Sequence, residues 1–161
     1  MNFELTADQK NIQNHLSELL KDVCSQEYVR KCDETETPPR EAFNALAKNG
    51  WLGLIGPEEY GGAGGTFLHE AIILDAMMRG GAAVSVGGGN SVHTHIVAHY
   101  ILEFGTEEQK QEWLPKMATG EMVGAIAMTE PGTGSDLQSI KTTALKDGDD
   151  YIINGSKTFI S

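Results

Sequence analysis

Apolar residues recur at steps of three and four from Ile12 through Leu16, Leu19, Leu20 and Val23. That spacing puts one stripe on a helix over roughly 7–31. Thr6 and Gln9 frame its start as a capping box, in which hydroxyl and amide side chains each serve the other residue's backbone N–H. Pro38-Pro39 interrupts the chain and opens a second helix through Phe43 and Leu46, which stops at Asn49-Gly50. Residues 51–65 have neither helical nor strand period and read as an ordered loop. Thr66 caps a third helix through Ile72, Ile73, Ala76 and Met77, ended by Gly80-Gly81. A fourth helical region spans 83–104, and Gly87-Gly88-Gly89 should break it, since interior glycines each cost about 1 kcal/mol relative to alanine. Thr106 and Gln109 form a second capping box, opening a helix with Trp113, Leu114 and Met117 that ends near Gly120.

The period changes after Gly120. Residues 122–129, MVGAIAMT, form an apolar run of strand length. Residues 140–146 alternate weakly, Asp147-Gly148 signals a turn, and Tyr151–Ile153 and Thr158–Ser161 flank Asn154-Gly155, a strong hairpin signal. The pattern predicts an α+β chain: an all-helical N-terminal domain over 1–121, then the beginning of a β-sheet domain over 122–161. Because Ser161 falls inside an apparent strand, and a sheet of two or three strands is marginal alone, the chain is expected to be a piece of a longer one.

Composition narrows the function classes. The 161 residues are 40% hydrophobic and 22% charged, as in soluble globular proteins, so disorder is excluded. No apolar run approaches a membrane span. The net charge of −11 repels phosphate backbones, which argues against a nucleic-acid partner. Cys24 and Cys32 have neither CxxC nor zinc-ligand spacing and read as free thiols. The N-terminus lacks the apolar core of a signal peptide and the Arg/Ser-rich, acid-poor character of a transit peptide. It reads as cytoplasmic, or as a mature form already processed (the mitochondrial matrix in a eukaryote).

Glycine is the outlier, at 19 residues. The densest chemistry is at 127–136, AMTEPGTGSD. Its glycines free backbone N–H groups, and Thr129 and Ser135 add hydroxyls, so a phosphate or polar cofactor ring suits it; a ligand-free turn is the plainer reading. Glu130 and Asp136 are an imaginable acid–base pair, against the simpler role of turn carboxylates accepting N–H groups or ion pairs. His93, His95 and His99 form HxHxxxH, in which His95 and His99, one helical turn apart with Glu103 next on the stripe, could share a metal, yet a partly buried histidine cluster explains them as well. Residues 61–65, GGAGG, lack the Lys or Ser/Thr that would complete a phosphate cradle and read as a structural loop.

Taken together, four segments resemble the acyl-CoA dehydrogenase family: GPEEYGGAGG at 56–65, FGTEEQKQEWLPKMATGE at 104–121, AMTEPGTGSD at 127–136 and DYIINGSKTFIS at 150–161. They occur in the family's order, and 126–142 with 154–161 look most like its long-chain branch. The resemblance implies a helical N-terminal domain and part of a middle β-domain, with a C-terminal helical domain to follow. It implies FAD-dependent oxidation of acyl-CoA to trans-2-enoyl-CoA, electron transfer to electron-transfer flavoprotein, and a homotetramer. By the same resemblance, Ile126, Ala127, Met128 and Thr129 contact the flavin pyrimidine edge. Gly134 and Ser135 lie near the FAD pyrophosphate, and Ser135 also lines the acyl-CoA entrance. Phe159, Ile160 and Ser161 match an aromatic-x-hydroxyl triplet whose ring packs on the flavin and whose hydroxyl donates to N5. Phe159 and Ser161 replace the commoner Trp and Thr while keeping an apolar π-face and a donor. The family's catalytic glutamate belongs to the C-terminal domain, so none of the acids up to Ser161 takes that role, no metal is implied, and the chain alone is expected to be inactive. Two alternatives are an acyl-CoA oxidase of the same fold, against which the TEPG sequence speaks, and a non-catalytic truncated partner subunit.

Overall fold

The computed structural model describes residues 4–81 and 86–160. Two compact units divide the chain, one through Gly124 and one from Ala125.

In the first unit, α1 (Ala7–Val23) begins at the expected capping box: the Thr6 N–H donates to Gln9 Oε1 at 3.0 Å, and the Gln9 N–H to Thr6 Oγ1 at 3.3 Å. The single helix expected over 7–31 is two. The chain leaves helical geometry at Cys24, and Ser25 caps α2 (Gln26–Glu34) by accepting the Tyr28 N–H at 3.1 Å. A serine before an acidic first turn is a local start signal that outcompetes continuation of the stripe. The third helix, α3 (Arg40–Lys48), is followed by Gly50 in the left-handed conformation, and α4 (Phe67–Arg79) follows Thr66. Leu16 and Leu20 of α1, Ala42 and Leu46 of α3, and Ile73, Ala76 and Met77 of α4 close one core with Leu52.

The expected break at Gly87–Gly89 does not occur in the described residues. Helix α5 (Gly88–Ser91) passes into a π-helical stretch, Val92–Val97, and then α6 (Ala98–Phe104). Tertiary anchorage overrides the glycine penalty here, because Asn90, His93 and Thr94 are buried. Part of the predicted 83–104 helix, residues 83–85, lies outside the described residues. Helix α7 (Glu107–Ala118) starts at the second expected capping box and, through Leu114 and Met117, joins Tyr60 in a smaller core.

The second unit is mostly irregular. Its one sheet among the described residues is an antiparallel hairpin, β1 (Thr143–Asp147) and β2 (Asp150–Asn154), pairing Thr143 with Asn154 and Asp147 with Asp150. The turn is therefore at Gly148, φ +62°, and not at Asn154-Gly155. Gly155 serves close approach: a Cβ there would meet Thr142 Oγ1 at 2.1 Å. The expected strand at 158–161 is also absent where it is described, because Phe159 is left-handed with φ +54°. Residues 123–129 join no ladder within the described chain, although their composition reads as strand. An apolar run becomes a strand only when a partner accepts its backbone bonds.

Candidate functional site

The second unit is organised around one carboxylate. Glu130 is only 7% exposed, and its two oxygens receive four donors. The Lys141 N–H reaches Oε2 at 2.8 Å. The Thr142 N–H, the Thr142 hydroxyl and Lys157 Nζ reach Oε1 at 3.0, 2.5 and 2.9 Å. The Thr142 hydroxyl, then the Lys141 amide and the Lys157 ammonium, hold the Glu130 pKa down at about 2. Such a group accepts bonds and stays ionised, which removes it from acid–base work. Asp136 is engaged separately, accepting the Ser139 hydroxyl at 2.5 Å, so the two acids form no catalytic pair.

Lys157 makes a second bond, from Nζ to the Met128 carbonyl at 3.0 Å, and the Thr158 N–H donates to the Thr129 carbonyl at 3.0 Å. The two candidate segments, 126–129 and 158–160, are thus tied together at Met128 and Thr129. Between them, Glu130 and Thr133 exchange backbone bonds at 2.9 and 3.0 Å, and the Thr133 hydroxyl donates to the Ser139 carbonyl at 3.0 Å. This fixes the turn that carries Gly132, Gly134 and Ser135.

The predicted contact residues are left open. Among the described residues, the N–H groups of Thr129, Gly134 and Ser135 donate to no protein acceptor. Gly134 and Ser135 are exposed, open space surrounds Gly132 and Gly134, and the Phe159 ring is 93% exposed. Ile126 and Met128 are half-buried, whereas Ala127 and Ile160 are exposed. Ser161 lies outside the described residues. Open amides and an exposed aromatic ring are groups of the kind that a flat ring with a polar edge can use. Lys157 was not legible as a participant; its only signal was membership of the NGSK run, and nothing local linked it to Glu130, 27 positions away.

The first unit holds a cavity of about 380 Å³ between the 52–66 loop, α4 and the α5–α6 region. Glu70 and His95 pair at its wall, and Glu70 Oε2 has no hydrogen-bond partner among the described residues. Burial pushes the Glu70 carboxyl up and the His95 imidazole down. His93 does something else. It accepts the Gly124 N–H at Nδ1, 3.0 Å, which leaves Nε2 to donate to the Met117 carbonyl at 3.0 Å. The histidines therefore separate, and among the described residues no three metal-type side chains converge. Cys24 and Cys32 are both buried free thiols. In the 61–65 loop every N–H is used internally, by Glu58, Pro57, Gly53, Gly56 and Leu54 carbonyls, so no amide remains to cradle a phosphate.

Residues 6–121 match the family model described as acyl-CoA dehydrogenase, N-terminal domain, and residues 125–161 match acyl-CoA dehydrogenase, middle domain. The chain is 45% identical over 122 residues to the mitochondrial long-chain specific acyl-CoA dehydrogenase of Sus scrofa, covering 76% of this chain and 28% of that protein. A crystal structure of acyl-CoA dehydrogenase from Geobacillus kaustophilus superposes with TM-score 0.88 at 39% identity, over 99% of this chain and 41% of that one. An acyl-CoA dehydrogenase complexed with FAD from Bacillus anthracis superposes with TM-score 0.83 at 32% identity, over 96% of this chain and 26% of that one. The chain thus spans between about a quarter and two-fifths of these relatives' length.

Proposed function

This chain belongs to the acyl-CoA dehydrogenase family, and from that premise we propose that the full protein oxidises an acyl-CoA thioester to its trans-2-enoyl-CoA using FAD. The observation that supports the reading is the tie of Met128 and Thr129 to Lys157 and Thr158, which brings together two distant segments to which the reading assigns cofactor contacts. The open amides and the bare Phe159 ring fit a flavin, and the Bacillus anthracis relative is described as complexed with FAD.

In this reading Ile126–Thr129 present backbone groups to the flavin's pyrimidine edge. Gly134 and Ser135 face the pyrophosphate, and Ser135 borders the acyl-CoA entrance. Phe159 covers the ring, Ile160 continues the wall, and Ser161 donates a hydroxyl near N5. Donors held there in advance stabilise charge as it develops, with no reorganisation during reaction. FAD held by these residues would supply the acceptor for a hydride from the acyl Cβ. By the family resemblance the α-proton would go to a glutamate of a C-terminal domain, and Glu130, committed to four donors, stays out of that role. Electron-transfer flavoprotein is the proposed acceptor and a homotetramer the proposed assembly.

The full-length protein should purify yellow with one FAD per chain. Acyl-CoA should bleach it anaerobically, with reoxidation far faster by a flavoprotein or ferricenium acceptor than by oxygen. Colourless protein that takes up no FAD overturns the reading. Rapid peroxide formation moves it to an oxidase.

A further inference from the structure

Lys157 is placed unusually for a cation that only closes an ion pair. Its ammonium bridges Glu130 Oε1 at 2.9 Å and the Met128 carbonyl at 3.0 Å. That carbonyl belongs to the same peptide group as the Thr129 N–H. In a trans peptide the two point in opposite directions, so Lys157 sits on one side of the group and the free N–H leaves from the other. A cation on the carbonyl draws electron density through the amide and makes its N–H a stronger donor, as in any hydrogen-bonded chain. The Thr129 N–H is unspent within the described residues. Glu130 keeps the ammonium from following other acceptors, and it is itself locked by Lys141 and Thr142.

We propose that Lys157 is a positioning residue that polarises the Met128–Thr129 peptide, and that Glu130 anchors it there, so that the Thr129 N–H is both fixed and strengthened as a donor to the flavin edge. The inference rests on the FAD reading given above. It separates two jobs within one cluster around the buried Glu130. The Thr158–Thr129 bond sets the spacing of the segments, and the Lys157–Glu130 pair sets the electrostatics of the group between them. Its donors hold Glu130 well below the usual carboxylate range, at about 2, so the anchor keeps its charge at neutral pH.

A donor at the flavin edge favours the reduced, more negative form over the oxidised one. Weakening it should therefore lower the midpoint potential. The test uses the full-length holoprotein with Lys157→Met, Lys157→Arg and Glu130→Gln. Lys157→Met should lower the midpoint potential, shift the visible flavin bands and weaken FAD binding on the order of 10-fold, the loss expected for one charge-assisted bond. Lys157→Arg keeps the charge and should restore part of the potential. Glu130→Gln loosens the anchor and should shift potential and spectrum in the same direction as Lys157→Met, by less. Should Lys157→Met fail to fold, the potentials of the other two variants decide. If variants lose thermal stability while the bound flavin keeps its wild-type potential and spectrum, the cluster is only structural and the inference is overturned. Wild-type protein that binds no FAD would overturn the functional reading and this inference with it, whereas FAD-replete wild type with electronically unaltered variants overturns this inference alone.

Discussion

Glu130 shows how much one residue can hold. Its carboxyl drops from an ordinary 4.5 to about 2 in the folded chain. A depressed acid stabilises the fold above its unfolded pKa and loses that contribution as pH falls through the folded one. Stability of the second unit should accordingly decline between about pH 4.5 and 2. Glu130→Gln should flatten that decline while lowering stability at neutral pH, as followed by acid titration of tyrosine fluorescence from Tyr151. The TEPG segment was recognisable in sequence, and the turn-carboxylate role of Glu130 was the simpler of its two readings. The partners were not legible, since Thr142 and Lys157 lie 12 and 27 positions away and carry no periodic signal.

At the scale of elements, glycines divide by what surrounds them. A Cβ on Gly62 would lie 2.0 Å from the Gly56 carbonyl oxygen, whereas one on Gly88 meets nothing within 4 Å. Gly62→Ala should cost roughly 1–3 kcal/mol through forced backbone separation, and Gly88→Ala, inside a helix, should add about 0.5–1 kcal/mol. Thermal unfolding of the two variants checks both signs. Helix starts were legible wherever capping chemistry was local, as at Thr6 and Thr106. The break at Cys24 has no signal in the apolar stripe, which carries through it. Of the two turn signals, Asp147-Gly148 turns the strands, whereas Asn154-Gly155 matches hairpin preferences but Thr142 crowds Gly155 from across the chain. The π-helical stretch at Val92–Val97 has no sequence signature; it follows from burying His93 against Met117 and Gly124.

For the whole molecule, the two units differ in how they are held. The first surrounds a core of leucines and methionine from three helices. Every residue of β1 and β2 is exposed, including Leu145, Tyr151, Ile152 and Ile153. Hydrogen exchange on this chain should show slow amides in α1 and α4 and fast ones throughout 143–154, since a two-stranded hairpin alone is marginal. Equal protection in both would contradict that division of stability.

The exposed hairpin also carries a consequence for biosynthesis. A chain emerging from the ribosome finishes its helical unit first, because domains condense in order of appearance. The hairpin then stands with apolar side chains on both faces and unpaired edges, a template that any neighbouring nascent chain can extend. While Leu145 and Ile153 stay exposed, the hairpin is the vulnerable part of this protein during its production. Slowed translation just after Asn154 would lengthen that exposure and convert yield into aggregate.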